Sequence, residues 1–246
     1  MSNLFPLQIN IIDKDCAKQY IEDIELCRAY KTKSPLVITI EDNIISVVTV
    51  ADMKMKPVFV DFVNGKLDHR RKFVNGKEFV VKACFGKKKN PVIFDATAGL
   101  ARDAFILACN GAQVHMFERN PIVRLLLKNG IERAVNSETD ISELIRNNLI
   151  LEDKHTIYEY DGELNPDVVY IDPMYPEKVK SALVKKDMQV FHELVGQDDD
   201  VMQLFQRAKE ITNLKVVMKN PKWAPPLDVV SSNVLSKGHR FDIYVN

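Results

Sequence analysis

Pro91-Val92-Ile93-Phe94-Asp95-Ala96-Thr97-Ala98-Gly99-Leu100-Ala101 is the stretch on which the reading of the fold turns. Four residues suited to a buried strand end at an acid, and a loop of small residues follows. Arg102 to Ala112 then reads as a helix stopped by Asn110–Gly111. Strand, small-residue loop and helix in that order form the first unit of a parallel sheet. The pattern then repeats. Gln113-Val-His-Met-Phe-Glu118 is a second strand, and Asn120 caps a helix with Pro121 at its first position. Asn148-Leu-Ile-Leu151 is the third strand and Val168-Val-Tyr-Ile-Asp172 the fourth, continuously apolar as a strand buried on both faces should be. Helices are expected near 177 to 195 and 199 to 212, and Lys215-Val-Val-Met-Lys219 is the fifth strand. A hairpin around Lys237–Gly238 ends the chain.

Upstream the pattern differs. Residues 13 to 30 carry Ala17, Tyr20, Ile21, Ile24 and Cys27 at helical spacing. Three β-rich runs follow, LVITI from Leu36, IISVVTV from Ile44 and PVFVDFV from Pro57, with turn chemistry at Asp42–Asn43 and Asn64–Gly65. Lys66 to Asn90 reads as a basic connector with turns at Asn75–Gly76 and Gly86. The expected organisation is a small α+β domain over 1–90 and an α/β, Rossmann-like domain over 91–246, its mostly parallel sheet closed by the C-terminal hairpin.

The chain has 246 residues, 46% hydrophobic and 28% charged, ordinary for a globular protein. No apolar run approaches a membrane span, and the N-terminus lacks a secretory layout. Cys16, Cys27, Cys84 and Cys109 suit neither zinc nor a disulfide framework, so a reduced, cytoplasmic setting without a metal is expected. The formal net charge is zero, yet it is segregated. Lys66 to Asn90 holds nine Lys or Arg against two acids, and Glu132 to Glu163 nine acids against three bases. That segregation is compatible with a basic face for a polyanion, and equally with a solvated charged surface.

In open parallel sheets ligands bind beyond the carboxyl ends of the strands, where strand order reverses. The small residues Ala98 and Gly99 permit close backbone approach there, and Asp95 can orient a cationic tail. One glycine is too few for a dinucleotide fingerprint, which disfavours an oxidoreductase. Glu118, twenty-three residues after Asp95, can accept both hydrogen bonds of a ribose diol. Arg102 and Asp103 form a local ion pair or line the same pocket. These features point to an adenosine-containing cofactor. At the end of the fourth strand stands Asp172-Pro173-Met174-Tyr175. Methylation of a nucleobase amine needs its two protons accepted and its ring plane fixed. Asp172 and the Pro173 carbonyl can do the first and Tyr175 the second. The tetrapeptide resembles the D/N-P-P-Y/F motif of amino-methyltransferases, with Met174 in place of the second proline.

Longer segments carry a closer resemblance: HRRKF from His69, DATAGLARDAF from Asp95, ERNP from Glu118, VVYIDPMYPEKVKSALVKKDMQVFHELVG from Val168 and KGHRFDIY from Lys237. In these the chain resembles the bacterial 16S ribosomal RNA guanine-N2 methyltransferases designated by the letter J. The resemblance implies a class I methyltransferase fold and S-adenosyl-L-methionine as cofactor. It implies methyl transfer to a guanosine amine of 16S ribosomal RNA, as naked RNA or in the small ribosomal subunit. By position it implies cofactor contacts at Arg102, Asp103, Glu118, Arg119, Lys154, His155 and Asp172. Lys154 and His155 depart from the family's serine pair. Ala101 stands where relatives often carry glycine, a change expected to be tolerated if the backbone is helical there. Arg70, Arg71, Lys72, Lys87 to Lys89, Lys180, Lys185 and Lys186 become candidates for phosphate contacts. His69 and His239, beside arginines, are candidates to touch RNA, whereas His115 and His192 read as structural. The same chemistry on adenine or on a protein glutamine, and a non-catalytic RNA-binding protein with this fold, remain alternatives.

Overall fold

The computed structural model describes residues 4–50, 56–73, 78–175, 194 and 198–246. The chain packs as two compact units, one of residues 1–61, 120–133 and 174–197, the other of 62–119, 134–173 and 198–246.

The first unit opens with β1 (Phe5–Pro6) and β2 (Gln8–Ile11), then α1 (Lys14–Gln19), α2 (Ile21–Ala29), β3 (Lys31–Thr32), β4 (Leu36–Glu41) and β5 (Ile44–Thr49). Its three-stranded sheet runs β2-β4-β5, with β2 parallel to β4 and β4 antiparallel to β5. Asp42 and Asn43 both have positive φ, 49° and 61°, the backbone that a two-residue hairpin of type I′ requires. Leu36, Ile38, Ile40, Ile45 and Val47 are fully buried, as are Ile24 and Cys27 of α2. The single helix expected over 13 to 30 is two. Asp13 caps the first through the Cys16 N–H, and Tyr20, with φ −118° and ψ 24°, ends it. The Tyr20 hydroxyl donates to Glu132 at 2.5 Å. The third β-rich run is no full strand: Val58 makes an isolated bridge to Val47, and Pro57 lacks a donor to extend the ladder. Buried Val58 and Val60 still flank half-exposed Phe59.

The second unit begins with α3 (Gly65–Phe73) and α4 (Phe79–Phe85), where a connector was expected. Val80, Val81, Ala83 and Cys84 bury one side of α4, which ends at Gly86 with φ 57°. Packing thus groups both helices with the large sheet. The elements that follow are β6 (Val92–Asp95), α5 (Arg102–Cys109), β7 (Gln113–Met116) and α6 (Pro121–Val135), whose residues up to 133 belong to the first unit. Next come α7 (Ser142–Asn148), β8 (Leu149–Leu151), β9 (Val168–Ile171), α8 (Val201–Ile211), β10 (Lys215–Pro221), β11 (Ser232–Leu235) and β12 (His239–Val245). The helix expected near 177 to 195 lies outside the described residues.

The seven-stranded sheet has the order β11-β12-β10-β9-β6-β7-β8. Strands β10, β9, β6, β7 and β8 are parallel, and the β11–β12 hairpin adds antiparallel to β10. From β6 the chain winds outward through β7 to β8, then returns to β9 on the other side. The direction of winding reverses between β6 and β9, the place where open α/β sheets bind their ligands, beyond the strands' carboxyl ends. This is the Rossmann-like layout expected.

Candidate functional site

Three strand ends build the site. Asp95 closes the central β6, Glu118 lies two residues beyond β7, and Asp172 follows β9 directly. The loop after β6 is stitched to both neighbours. The Ala96 N–H donates to the Tyr170 carbonyl at 2.9 Å and the Ala98 N–H to the Phe117 carbonyl at 3.0 Å. The Gly99 N–H donates to Glu118 Oε2 at 2.9 Å, while the Asp172 N–H donates to Thr97 Oγ1 at 2.7 Å. Glu118 and Asp172 are therefore both tied to one six-residue loop.

The loop's backbone is special. Gly99 has φ 52° and Ala101 φ 53°, the left-handed region that a Cβ disfavours. Ala101 lies at the N-terminal boundary of α5. The backbone there is not helical, so the condition on which alanine was expected to be tolerated is not met.

Four carboxyl groups influence one another around this loop. Asp95 is 2% exposed. Burial pushes its carboxyl up to about 8 despite the hydrogen bond from the Thr97 N–H, and Asp103, Asp172 and Glu118 push the same way. Asp103, at the start of α5, is a hub. Lys219 Nζ donates to it at 2.9 Å, the Tyr170 hydroxyl at 2.9 Å and Arg70 at 3.2 Å. Burial raises the Asp103 carboxyl, but the Lys219 and Arg70 charges outweigh it and hold the group below its ordinary value. Lys219 Nζ also donates to Asp172 Oδ2 at 2.7 Å. Burial raises Asp172 above its ordinary value, with Lys219 opposing. The ammonium itself is raised: burial works against its charge, and Asp172 and Asp103 prevail.

Lys219, absent from the expected site, is thus its central cation. Its position at the end of the fifth strand was readable. Its partners, 47 and 116 residues away in sequence, were not. Asp103 is engaged by Lys219, Arg70 and Tyr170.

The remaining candidates are placed as follows. Arg102 is exposed at the start of α5. Arg119 pairs with Asp198 and, at 3.0 Å, with Asp200. Lys154 and His155 lie on the loop after β8, beyond the strand that flanks Glu118's own. There the Lys154 ammonium stands 3.8 Å from Asp161, and the His155 N–H donates to Glu159 at 3.2 Å. His115 pairs through Nδ1 with Glu152 at 2.6 Å, bracing β7 against the end of β8. Pro173 is buried beside Asp172, while Met174 and Tyr175 fall in the first compact unit.

Of the proposed phosphate-binding cations, Arg70 is held by Glu78 and Asp103, and Arg71 by Asp68 and Asp140. Lys72 pairs with Asp68 at 2.7 Å. The fold thus sets Arg71 of the basic stretch against Asp140 of the acidic one. Lys88 pairs with Asp167, and Lys87 and Lys89 are exposed. Lys180, Lys185, Lys186 and His192 lie outside the described residues.

The pocket fits an adenosyl sulfonium compound. Asp95, Asp103, Glu118 and Asp172 bring carboxylates to one place, and a ligand carrying ammonium and sulfonium charges complements them. Glu118 can accept from the two ribose hydroxyls. Ala98, Gly99 and Leu100 leave the loop backbone approachable.

Comparison with known proteins agrees. A family model for SAM-dependent methyltransferases matches residues 19–246. "Ribosomal RNA small subunit methyltransferase J" of Haemophilus influenzae is 42% identical over 246 residues, covering 96% of this chain and 95% of that protein. The protein of the same name from Erwinia tasmaniensis is 47% identical over 196 residues, 78% of each. Among solved structures, a SAM-dependent methyltransferase of Neisseria gonorrhoeae superposes with a TM-score of 0.73 at 28% identity. That match covers 97% of this chain and 95% of the other. The chain belongs to the family of SAM-dependent methyltransferases that includes the proteins named ribosomal RNA small subunit methyltransferase J.

Proposed function

We propose that the protein transfers the methyl group of S-adenosylmethionine to the exocyclic N2 amine of a guanosine in small-subunit (16S) ribosomal RNA. The observation that carries this reading is Asp172. It follows β9 directly, bonded through its N–H to the loop after β6, and its side chain is 36% exposed, so that an amine can reach it. S-adenosylmethionine supplies an electrophilic methyl on a sulfonium.

The chain's own groups supply orientation. Asp172 and the Pro173 carbonyl accept the two amine hydrogens, which turns the nitrogen lone pair toward the methyl carbon. Tyr175 stacks on the guanine and fixes its plane. As the C–N bond forms and the S–C bond breaks, positive charge develops on the nitrogen. The Asp172 carboxylate stabilises it, and the surplus proton leaves to water. Lys219 opposes the rise of the Asp172 carboxyl that burial causes and holds the group in place. Glu118, Asp95, Ala98 and Gly99 hold the cofactor, with Arg102, Arg119, Lys154 and His155 around its rim. Neither a metal nor a covalent enzyme intermediate is required.

The relatives' names support ribosomal RNA as the substrate. The exposed cations Lys72, Lys87 and Lys89 offer phosphate contacts beside segments that the packing joins to the large sheet. Residues 1–90 would serve as the domain that helps recruit the RNA, and Lys180, Lys185 and Lys186 would add to its grip. A cytoplasmic site of action follows from the substrate. Among the described residues no helix is long and apolar enough to cross a membrane.

Mass mapping of ribosomal RNA from cells lacking the protein tests the proposal. One guanosine near the 3′ end of the small-subunit RNA should lose its N2 methyl group and regain it on complementation. An unchanged modification profile refutes the assignment.

A further inference from the structure

We infer that Trp223 and Lys222 form a rigid platform beside the methyl-transfer site, on which an RNA base flanking the target guanosine stacks. This rests on the reading of RNA as substrate. The argument begins with Lys219, which contacts Asp172. In the β10–β12 ladder Lys219 pairs with Phe241, Asn220 with Arg240 and Pro221 with His239. Alternate rungs share a face, so His239 stands one pleat beyond Lys219 on the side of the acids. Its imidazole feels Lys219, Asp172 and Asp103. The chain then turns back beyond Pro221, with the Ala224 N–H donating to the Pro221 carbonyl at 3.0 Å. Lys222 and Trp223 occupy the two corners of that turn, and both are exposed, Trp223 at 46%.

The turn is built to hold its shape. The Arg240 guanidinium donates to the Ala224 carbonyl at 3.1 Å and the Lys222 carbonyl at 3.5 Å. Arg240 is fixed in turn by Asp242, 1% exposed, at 2.6 and 2.8 Å. Asn220, fully buried, donates to the same Asp242 carboxylate at 2.6 Å. A buried network thus clamps the backbone on either side of Trp223, at Lys222 and Ala224.

The chemistry of the surface selects the partner. Lys222 and Lys237 are the exposed cations here: Lys219 is bound by Asp172 and Asp103, Arg240 by Asp242, and Asp228, the one acid between 219 and 241, pairs with Lys209. A large exposed indole amid cations, on an edge continuous with the reacting site, matches single-stranded nucleic acid, whose bases stack and whose phosphates pair with the lysines.

Trp223 is the chain's only tryptophan, so its fluorescence reports the platform directly. A mixed-sequence single-stranded RNA 12-mer should quench the emission, whereas heparin, a polyanion without bases, should not. With small-subunit RNA from cells lacking the protein, Trp223→Ala should raise KM for RNA by roughly 5- to 150-fold, the range set by loss of one base–aromatic stack. Its kcat and cofactor affinity should be retained, and Trp223→Tyr should restore most of the loss. An unchanged KM in the alanine variant, or equal quenching by heparin, overturns the platform while leaving the substrate assignment standing. A wild-type protein that methylates no RNA overturns both.

Discussion

Lys219→Met removes the ammonium between Asp103 and Asp172 while keeping most of the stem's volume. Lys219 Nζ lies 2.7 Å from Asp172 and 2.9 Å from Asp103, with the lysine side chain only 19% exposed. Opposite charges about 3 Å apart attract by roughly 6 kcal/mol at an effective dielectric of 20. Desolvation of the lysine cancels much of that, and breaking a buried pair by removing one partner costs about 3–5 kcal/mol. The low end applies here, because Arg70 still faces Asp103 and solvent screens the 36% exposed Asp172. The expected loss is about 3 kcal/mol at pH 7, read from urea unfolding. The sign with pH follows from Asp172, whose carboxyl already sits above its ordinary value and rises further without the cation. A raised acid binds its proton in the folded state, so the variant should regain stability as pH falls from 7 toward the usual carboxylate range. In a cycle with Asp172→Asn, the coupling between the two positions should exceed about 1 kcal/mol. A loss below about 1 kcal/mol, with no recovery in acid, refutes the reasoning.

Asp95, pushed up to about 8 by burial, makes folding take up a proton between its unfolded value near 4 and that folded value. Wild-type stability should therefore fall as pH rises from about 4 to 8 more steeply than that of Asp95→Asn; parallel profiles in urea melts would contradict this. Gly130→Ala should destabilise by about 1–3 kcal/mol, because a Cβ there would lie 2.5 Å from Val60 Cγ1; a gain, as helix propensity alone predicts, would show the contact to be soft. Ala101→Gly should leave thermal stability unchanged or raise it by up to about 1 kcal/mol by relieving the left-handed backbone. A clear fall in melting temperature would deny strain at that position.

The large sheet was legible because each strand is a short apolar run ending in a polar landmark, and Asp95, Glu118 and Asp172 each close one. Those acids are local signals, and the parallel topology alone brings them together. Lys219 was read as the end of a strand and nothing more, since its chemistry depends on partners from α5 and β9. The ion pairs of the basic stretch were hidden for a related reason. Helix α3 is short and rich in cations that look solvated, yet Arg70 and Arg71 are neutralised by acids from four separate segments. Pro57 hid the truncation of the third β-rich run inside an otherwise convincing alternation. The turn at Lys222–Trp223 drew no notice, because its rigidity comes from Arg240 and Asp242 across the hairpin.

The most direct test of the shared pocket is a crystal structure with S-adenosylhomocysteine. The ribose hydroxyls should lie on the Glu118 carboxylate, the amino-acid tail along the loop from Asp95 to Gly99, and the sulfur should face Asp172. A ligand bound elsewhere, or a sulfur turned away from Asp172, contradicts the account of methyl transfer.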